Sequence, residues 1–231
     1  MAVSANPLDI DSYWEYADPA KSEARFRGLL DAARGDERLE LMTQVARTYS
    51  LRKRFDEAHR VLDEVEPQLA HAGVRPKLRY LLERGRAFNS AGEKDKARAL
   101  FEQAWREAGG TPHEGLAVDA AHMVALTYSG TAQAIEWNER GLALARKSDD
   151  PKARALVAAM LNNMAWDLHD LGRLEESLAV FREAQAAWIA RGQPRQIQVA
   201  KWSVAQALRA LGRNDEALDI ERKLEAEGFQ P

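Results

Sequence analysis

The sequence predicts an all-α protein, a solenoid of antiparallel helix pairs with about 11 helices. Three observations carry this prediction. The 231 residues are rich in Ala, Leu, Glu and Arg, which are strong helix formers, and include only 8 prolines and 14 glycines. A small residue recurs at a spacing of about 40 residues, and a proline recurs in step with it.

The repeated small residue follows a short turn and lies inside a charged helix start. The pattern appears in RKRFDEAHRVL, AGEKDKARALF, LGRLEESLAVF and LGRNDEALDIE, and more weakly in GTAQAIEWNERGLALA. The small residues are Ala58, Ala97, Ala134, Ser177 and Ala217. Apolar residues around them keep the three- and four-residue spacing of one helix face. Small residues at such positions let two helix axes approach closely, so each copy predicts a helix pair.

The recurring prolines mark the start of the first helix in each pair. Pro76, Pro112 and Pro194 follow turns that contain glycine, and Pro151 follows KSDD. Glycine ends a helix in the left-handed conformation, and proline opens the next helix without losing a hydrogen bond. Together with the small residues, they predict five repeats in one continuous domain. The expected segments are a tail over 1–16, an N-terminal capping helix over 17–35, and repeats near 36–74, 75–110, 111–149, 150–192 and 193–231.

The fourth copy, LNNMAWDLHDLGRLEESLAVFREAQ, resembles the tetratricopeptide repeat (TPR) in its small and large residues on both helices. The resemblance implies a right-handed superhelix whose first helices line a groove. A period near 40, rather than the usual 34 or so, is similar to the long-repeat subgroup of kinesin light chains and of peptide-sensing bacterial regulators. Tyr128 and Ala134 are closer together than their apparent counterparts in other copies, so we expect a turn about three residues shorter in the third copy.

Composition argues against several classes of function. The net charge is −3, from 33 basic and 36 acidic residues, so no overall field attracts nucleic acid or anionic lipid. The start lacks the apolar core of a secretion signal, and no stretch is apolar enough to span a membrane. The absence of cysteine suits a cytoplasmic protein. No HExxH motif or glycine-rich phosphate loop is present, so we expect no enzyme, no metal and no cofactor.

The resemblance implies that the first helix of each pair presents its groove positions to a ligand. Arginine and tryptophan are over-represented among residues that carry binding energy. The alternative is that the tryptophans pack against the next repeat and the arginines only aid solubility. The predicted binding residues are Arg47, Arg86, Asn89, His122, Asn162, Asn163, Trp166, His169, Trp202, Gln206 and Arg209. The positions that the resemblance assigns to the groove also include Thr43, Ser50, Leu82 and Ser129.

Three functions fit this pattern. The first is a cytoplasmic, bacterial scaffold or adaptor that binds a protein or peptide segment in the groove, as a monomer or a homodimer. The second is a sensor of a small ligand or signalling peptide that regulates a partner protein. The third is a homo-oligomeric structural assembly. No enzyme is expected among them.

Overall fold

A computed structural model describes residues 9–230 of the chain. These residues form eleven α-helices and two short 3-10 helices, and no strand occurs among them. The predicted all-α class is therefore confirmed. The chain divides into two compact units, and the boundary lies between Leu116 and Ala117.

The first unit contains α1 to α5. The helices pack in sequence order, α1 on α2, α2 on α3, and α4 on α5, and α2 also packs on α4. The 3-10 helices are Ile10–Tyr13 and Glu66–His71. The α-helices are α1 (Pro19–Leu30), α2 (Gly35–Leu51), α3 (Phe55–Val65), α4 (Val74–Ser90) and α5 (Lys94–Ala108).

The second unit contains most of α6 and all of α7 to α11. The pairs α7–α8, α8–α9, α9–α10 and α10–α11 pack against each other. Val118 of α6 shares a core with Leu142 of α7 and Met160 of α8. The helices are α6 (Glu114–Thr127), α7 (Ala132–Lys147), α8 (Pro151–Asp170), α9 (Leu174–Arg191), α10 (Pro194–Ala210) and α11 (Asn214–Ala226). We call α2, α4, α6, α8 and α10 the A helices, and the helix that follows each one its B helix.

The repeated small residues lie where the helices of a pair cross. Ala58, Ala97, Ala134, Ser177 and Ala217 are all fully buried. One turn further along the B helix, Leu62, Phe101 and Phe181 are also fully buried and fill the space beside the crossing in their copies. Close packing of a small and a large residue thus explains why the pattern recurs.

The predicted punctuation agrees with the helix ends in most copies. Pro151 and Pro194 are the first residues of α8 and α10, and Pro76 lies in the first turn of α4. Pro112 instead precedes α6. Gly92, Gly172 and Gly212 have φ of +87°, +75° and +75° in the turns between paired helices, and Lys53 occupies the same place in the first copy with φ +59°. A lysine in this left-handed region pays a steric cost that glycine avoids.

The predicted tail lies only partly within the described residues, because 1–8 are outside them. Part of the described tail packs against the helices. Ile10 is 2% exposed and belongs to the same core as Phe26 of α1 and Leu41 of α2. The repeat boundaries and the single continuous domain stay predictions.

The third copy was predicted to have a shortened turn, and this expectation was wrong. The turn between α6 and α7 covers residues 128–131, and Tyr128 lies in it rather than in the preceding helix. Its counterpart in the first copy, Tyr49, is helical, so the two tyrosines are not equivalent. The Asp167 carboxylate of α8 accepts a 2.7 Å hydrogen bond from the Gly130 N–H, and the Thr131 hydroxyl accepts one from the Ala134 N–H. These contacts hold the turn in its place.

The carboxyl of Asp167 should make the stability of the protein depend on pH. Burial raises the pKa of its carboxyl, although the hydrogen bond from Gly130 opposes the shift. The folded protein therefore binds a proton at a higher pH than the unfolded chain does, and stability increases as the pH falls through that window, above the unfolded pKa of about 3.9. We expect the free energy of unfolding of the wild type, relative to Asp167→Asn, to increase between neutral pH and about pH 4. Urea unfolding at several pH values measures it, and a constant difference would contradict the assignment.

Candidate functional site

The A helices of the first unit present a charged face. Gln44 and Arg47 are three residues apart on α2, and Arg79, Glu83 and Arg86 follow each other at helical spacing on α4. We call these five residues the α2–α4 face. Four of them carry charge, but the arrangement is largely internal: Gln44, Arg79 and Glu83 are buried, and Arg47 and Arg86 are half-buried.

Glu83 is the centre of the α2–α4 face. It is 1% exposed, and its Oε1 accepts hydrogen bonds from Arg86 Nη1 at 2.7 Å and from Arg47 Nη1 at 3.1 Å. Its Oε2 and the Arg47 Nε are buried without a hydrogen-bond partner. A buried carboxylate needs such partners, because an uncompensated charge is expensive to desolvate. Arg47 and Arg86 therefore neutralise the charge of Glu83, which is a structural role.

The residues before α1 cover part of this face. Trp14 donates a 3.0 Å hydrogen bond from Nε1 to Gln44 Oε1, and its ring stacks on Tyr16 with centroids 4.9 Å apart. The Arg47 guanidinium lies 5.6 Å from the Trp14 ring centre and 5.8 Å from that of Tyr16. Asp11 makes a 3.4 Å ion pair with Arg79. These contacts were not predicted from the sequence, because they join residues that are far apart in the chain.

The second unit presents an aromatic surface on α8 and α10. Trp166 and Trp202 lie on these neighbouring A helices with ring centroids 6.0 Å apart, and both are half-buried. His169 lies one turn from Trp166, at 5.4 Å between ring centroids. The other side of Trp166 rests edge-on against the buried Phe181, at 5.0 Å. The two tryptophans therefore form one half-exposed aromatic surface, and Trp166 anchors it to the core.

Polar side chains of α6 and α8 border the two tryptophans. Asn163 Nδ2 and His122 Nε2 are 2.9 Å apart, which joins α6 to α8 by a hydrogen bond whose direction depends on the histidine tautomer. Asn162 on α8 and Gln206 on α10 are half-buried. We call Asn162, Asn163, Trp166, His169, Trp202 and Gln206 the α8–α10 face.

The predicted binding residues lie in four places. Arg47 and Arg86 meet at Glu83, Asn89 is half-buried near the end of α4, and the α8–α10 face gathers six others with His122 beside them. Arg209 is turned toward its own B helix, where it pairs with Glu221 of α11. The resemblance also assigned four other residues to the groove, and these assignments were wrong. Thr43, Ser50 and Leu82 are buried, at 0%, 7% and 1% exposure, and Ser129 lies in a turn. Asn162 and Trp202 stand at the same distance before the repeated small residue as Thr43 and Leu82 but are half-buried, so the exposure of this position differs between copies.

Two features of the described residues bear on catalysis and membranes. Within residues 9–230, no group of three or more His, Asp or Glu side chains is placed to hold a metal ion. None of the helices there combines the length and apolar character needed to cross a bilayer.

Comparison with known proteins identifies the repeat. A family model described as tetratricopeptide repeat matches residues 157–188, which include most of α8 and α9. The chain contains a tetratricopeptide repeat. This match confirms the resemblance seen in the fourth copy. No curated protein matches the sequence significantly.

Solved TPR-like structures share the fold at low sequence identity. BtubC (BKLC) of P. vanneervenii is 14% identical, with a TM-score of 0.74, over 97% of this chain and 94% of that protein. A kinesin light chain of Podosopora anserina with nearly identical TPR-like repeats is 20% identical, with a TM-score of 0.67, over 86% of this chain and 100% of that one. A Rap protein complexed with competence and sporulation factor is 16% identical, with a TM-score of 0.65, over 90% of this chain but only 59% of the Rap protein.

Proposed function

We propose that the chain is a non-enzymatic adaptor that binds a peptide segment of another protein on the α8–α10 face. A cytoplasmic location and a bacterial source, predicted from the sequence, belong to the same proposal. The TPR-like fold supports it, since a Rap protein of similar fold is described in complex with competence and sporulation factor.

The observation that carries the proposal is the pair formed by Trp166 and Trp202. Two half-buried tryptophans at 6.0 Å offer a large apolar area at a small cost in conformational entropy. The amides of Asn162, Asn163 and Gln206 beside them can donate and accept hydrogen bonds to a peptide backbone. The α2–α4 face is a weaker candidate, because Trp14, Tyr16 and Glu83 already engage its arginines.

A second candidate is a sensor of a signalling peptide or small ligand. The fold shared with the Rap protein favours it, although the chain spans only 59% of that protein. Thermal unfolding tests this candidate in its small-ligand form. A sensor should melt at a higher temperature when a free small ligand is added, because binding only to the folded state stabilises it.

The adaptor function is tested by selecting peptides from a display library on the wild-type protein. The affinity of each selected peptide is then measured for Trp166→Phe, which keeps a ring against Phe181 but removes the outer part of the indole. We expect affinity to fall by about tenfold or more, which corresponds to about 1.4 kcal/mol. Trp188→Phe is the matched control, since Trp188 is half-buried on the B helix α9, outside the α8–α10 face.

Calorimetric binding of the same peptides provides the decisive comparison. Equal affinity for wild type, Trp166→Phe and Trp188→Phe would place the binding surface elsewhere. Failure to enrich any peptide would contradict the adaptor proposal itself. Circular dichroism of both variants confirms that each is folded before its affinity is interpreted.

A further inference from the structure

The second unit carries an apolar groove at α10 and α11 that shares only Trp202 with the α8–α10 face. The groove has a volume of about 310 Å³. Its apolar lining comes from Trp202, Leu218, Leu224 and Phe229, and its charged lining from Glu221, Arg222 and Glu225.

Comparison of two repeats shows that a position in this groove is buried in one copy and exposed in the other. Leu178 and Leu218 each follow the small residue of their repeat, Ser177 and Ala217. Leu178 is 1% exposed because it packs in one core with residues of α10, among them Val204. Leu218 is 38% exposed, and α11 is the last helix in residues 9–230. The same position is therefore buried in one copy and bare in the next.

The residues after α11 form a fixed wall of the groove. The Phe229 N–H donates to the Leu224 carbonyl at 2.9 Å, and the Arg195 guanidinium lies 4.5 Å from the Phe229 ring centre. Arg195 Nη2 also donates to the Gln230 carbonyl at 2.9 Å. A wall that is already ordered costs little additional entropy when a partner binds.

Two unpaired charges of opposite sign lie on the same stripe as Leu218. Arg222 and Glu225 follow Leu218 on α11 at the spacing of one helix face, and both are exposed. Within residues 9–230 neither side chain forms a hydrogen bond or an ion pair. Neighbouring charges on α11 are paired, Lys223 with Asp219 and Glu221 with Arg209. The stripe therefore combines an exposed leucine, an unpaired cation and an unpaired anion.

We propose that this groove is a homodimer interface, in which α11 packs antiparallel against α11 of a second copy. An isologous two-fold contact needs a self-complementary patch, and this stripe provides one. An axis between the positions of Arg222 and Glu225 brings each Arg222 opposite the partner's Glu225. The same axis brings each Leu218 opposite the partner's Phe229. Apolar contacts then cover the leucine, and both charges gain a partner.

Charge reversal tests the interface, because a two-fold contact predicts which combinations of variants dimerise again. Sedimentation equilibrium of the wild type should give twice the chain mass of 25.9 kDa at micromolar concentration. Arg222→Glu alone places two carboxylates opposite each other, and Glu225→Arg alone places two guanidinium groups opposite each other. We expect each single variant to dimerise at least about tenfold more weakly than the wild type. An equimolar mixture of the two should form a heterodimer, and the double variant should regain the homodimer.

Arg182→Glu is the matched control, because Arg182 is an exposed arginine on α9 that does not line this groove. It should sediment as the wild type does. A wild-type protein that is monomeric at these concentrations would overturn the proposal. Single reversals that leave the dimer intact would overturn it as well, as would a mixture that stays monomeric. All the substituted residues are exposed, and circular dichroism shows whether each variant has kept its fold.

Discussion

Replacing Glu83 with alanine is expected to lower the free energy of unfolding by about 3–5 kcal/mol, because it breaks a buried ion-pair network. Glu83 is 1% exposed and receives hydrogen bonds from both Arg47 and Arg86. Without it, two half-buried guanidinium groups lie side by side and lose their common acceptor. The side chains of Arg47 and Arg86 are 22% and 13% exposed, so water can reach them, and the loss should fall near the lower end of the range.

The matched control is Glu57→Ala, the same substitution in an exposed pair. Glu57 and Arg54 are paired within three residues at the surface, with side-chain exposures of 29% and 48%. Surface pairs of this kind contribute little to stability, because solvent screens their charges. Urea unfolding followed by circular dichroism gives the midpoint and the slope for both variants. A loss for Glu83→Ala no larger than that for Glu57→Ala would mean that solvent already screens the network.

The fold could be predicted from the sequence because its repeating contacts are local in each copy. Ala58, Ala97, Ser177 and Ala217 are fully buried, and the periodicity that reveals them is the one that forms the helix crossings. Pro151 and Pro194 begin their helices, since a helix end depends mainly on neighbouring residues. Signals of this kind need no knowledge of distant contacts.

The site could be predicted only in part, because the exposure of its side chains depends on residues that are distant in the sequence. Trp166 and Trp202 lie 6.0 Å apart between ring centroids because their helices are neighbours in the repeat order. Thr43 and Leu82 are buried instead, although Asn162 and Trp202 at the equivalent position are half-buried. The exposure of this position therefore depends on what surrounds each copy and not on the repeat pattern alone. The contact of Trp14 with Gln44 joins residues from different elements, and no local pattern predicts it.

Replacing Phe101 with alanine should cost about 3–5 kcal/mol, the range for deleting a fully buried phenylalanine ring. Phe101 is fully buried, and its ring fills the space that Gly85 leaves on α4. A Cβ added at Gly85 would lie 2.8 Å from Cδ1 and 2.9 Å from Cζ of that ring. Gly85→Ala should therefore cost about 1–3 kcal/mol through overpacking, despite the better helix propensity of alanine.

A double variant shows whether the glycine and the phenylalanine share one space. Phe101→Leu shortens the side chain, so adding Gly85→Ala to it should cost less than Gly85→Ala costs in the wild type. Gly28→Ala is the control, because nothing lies within 4 Å of a Cβ there and the residue is in α1. It should be neutral or stabilise the protein by up to about 1 kcal/mol. Strictly additive losses at Gly85 and Phe101 would mean that α4 and α5 can move apart, and that the close approach does not depend on the glycine.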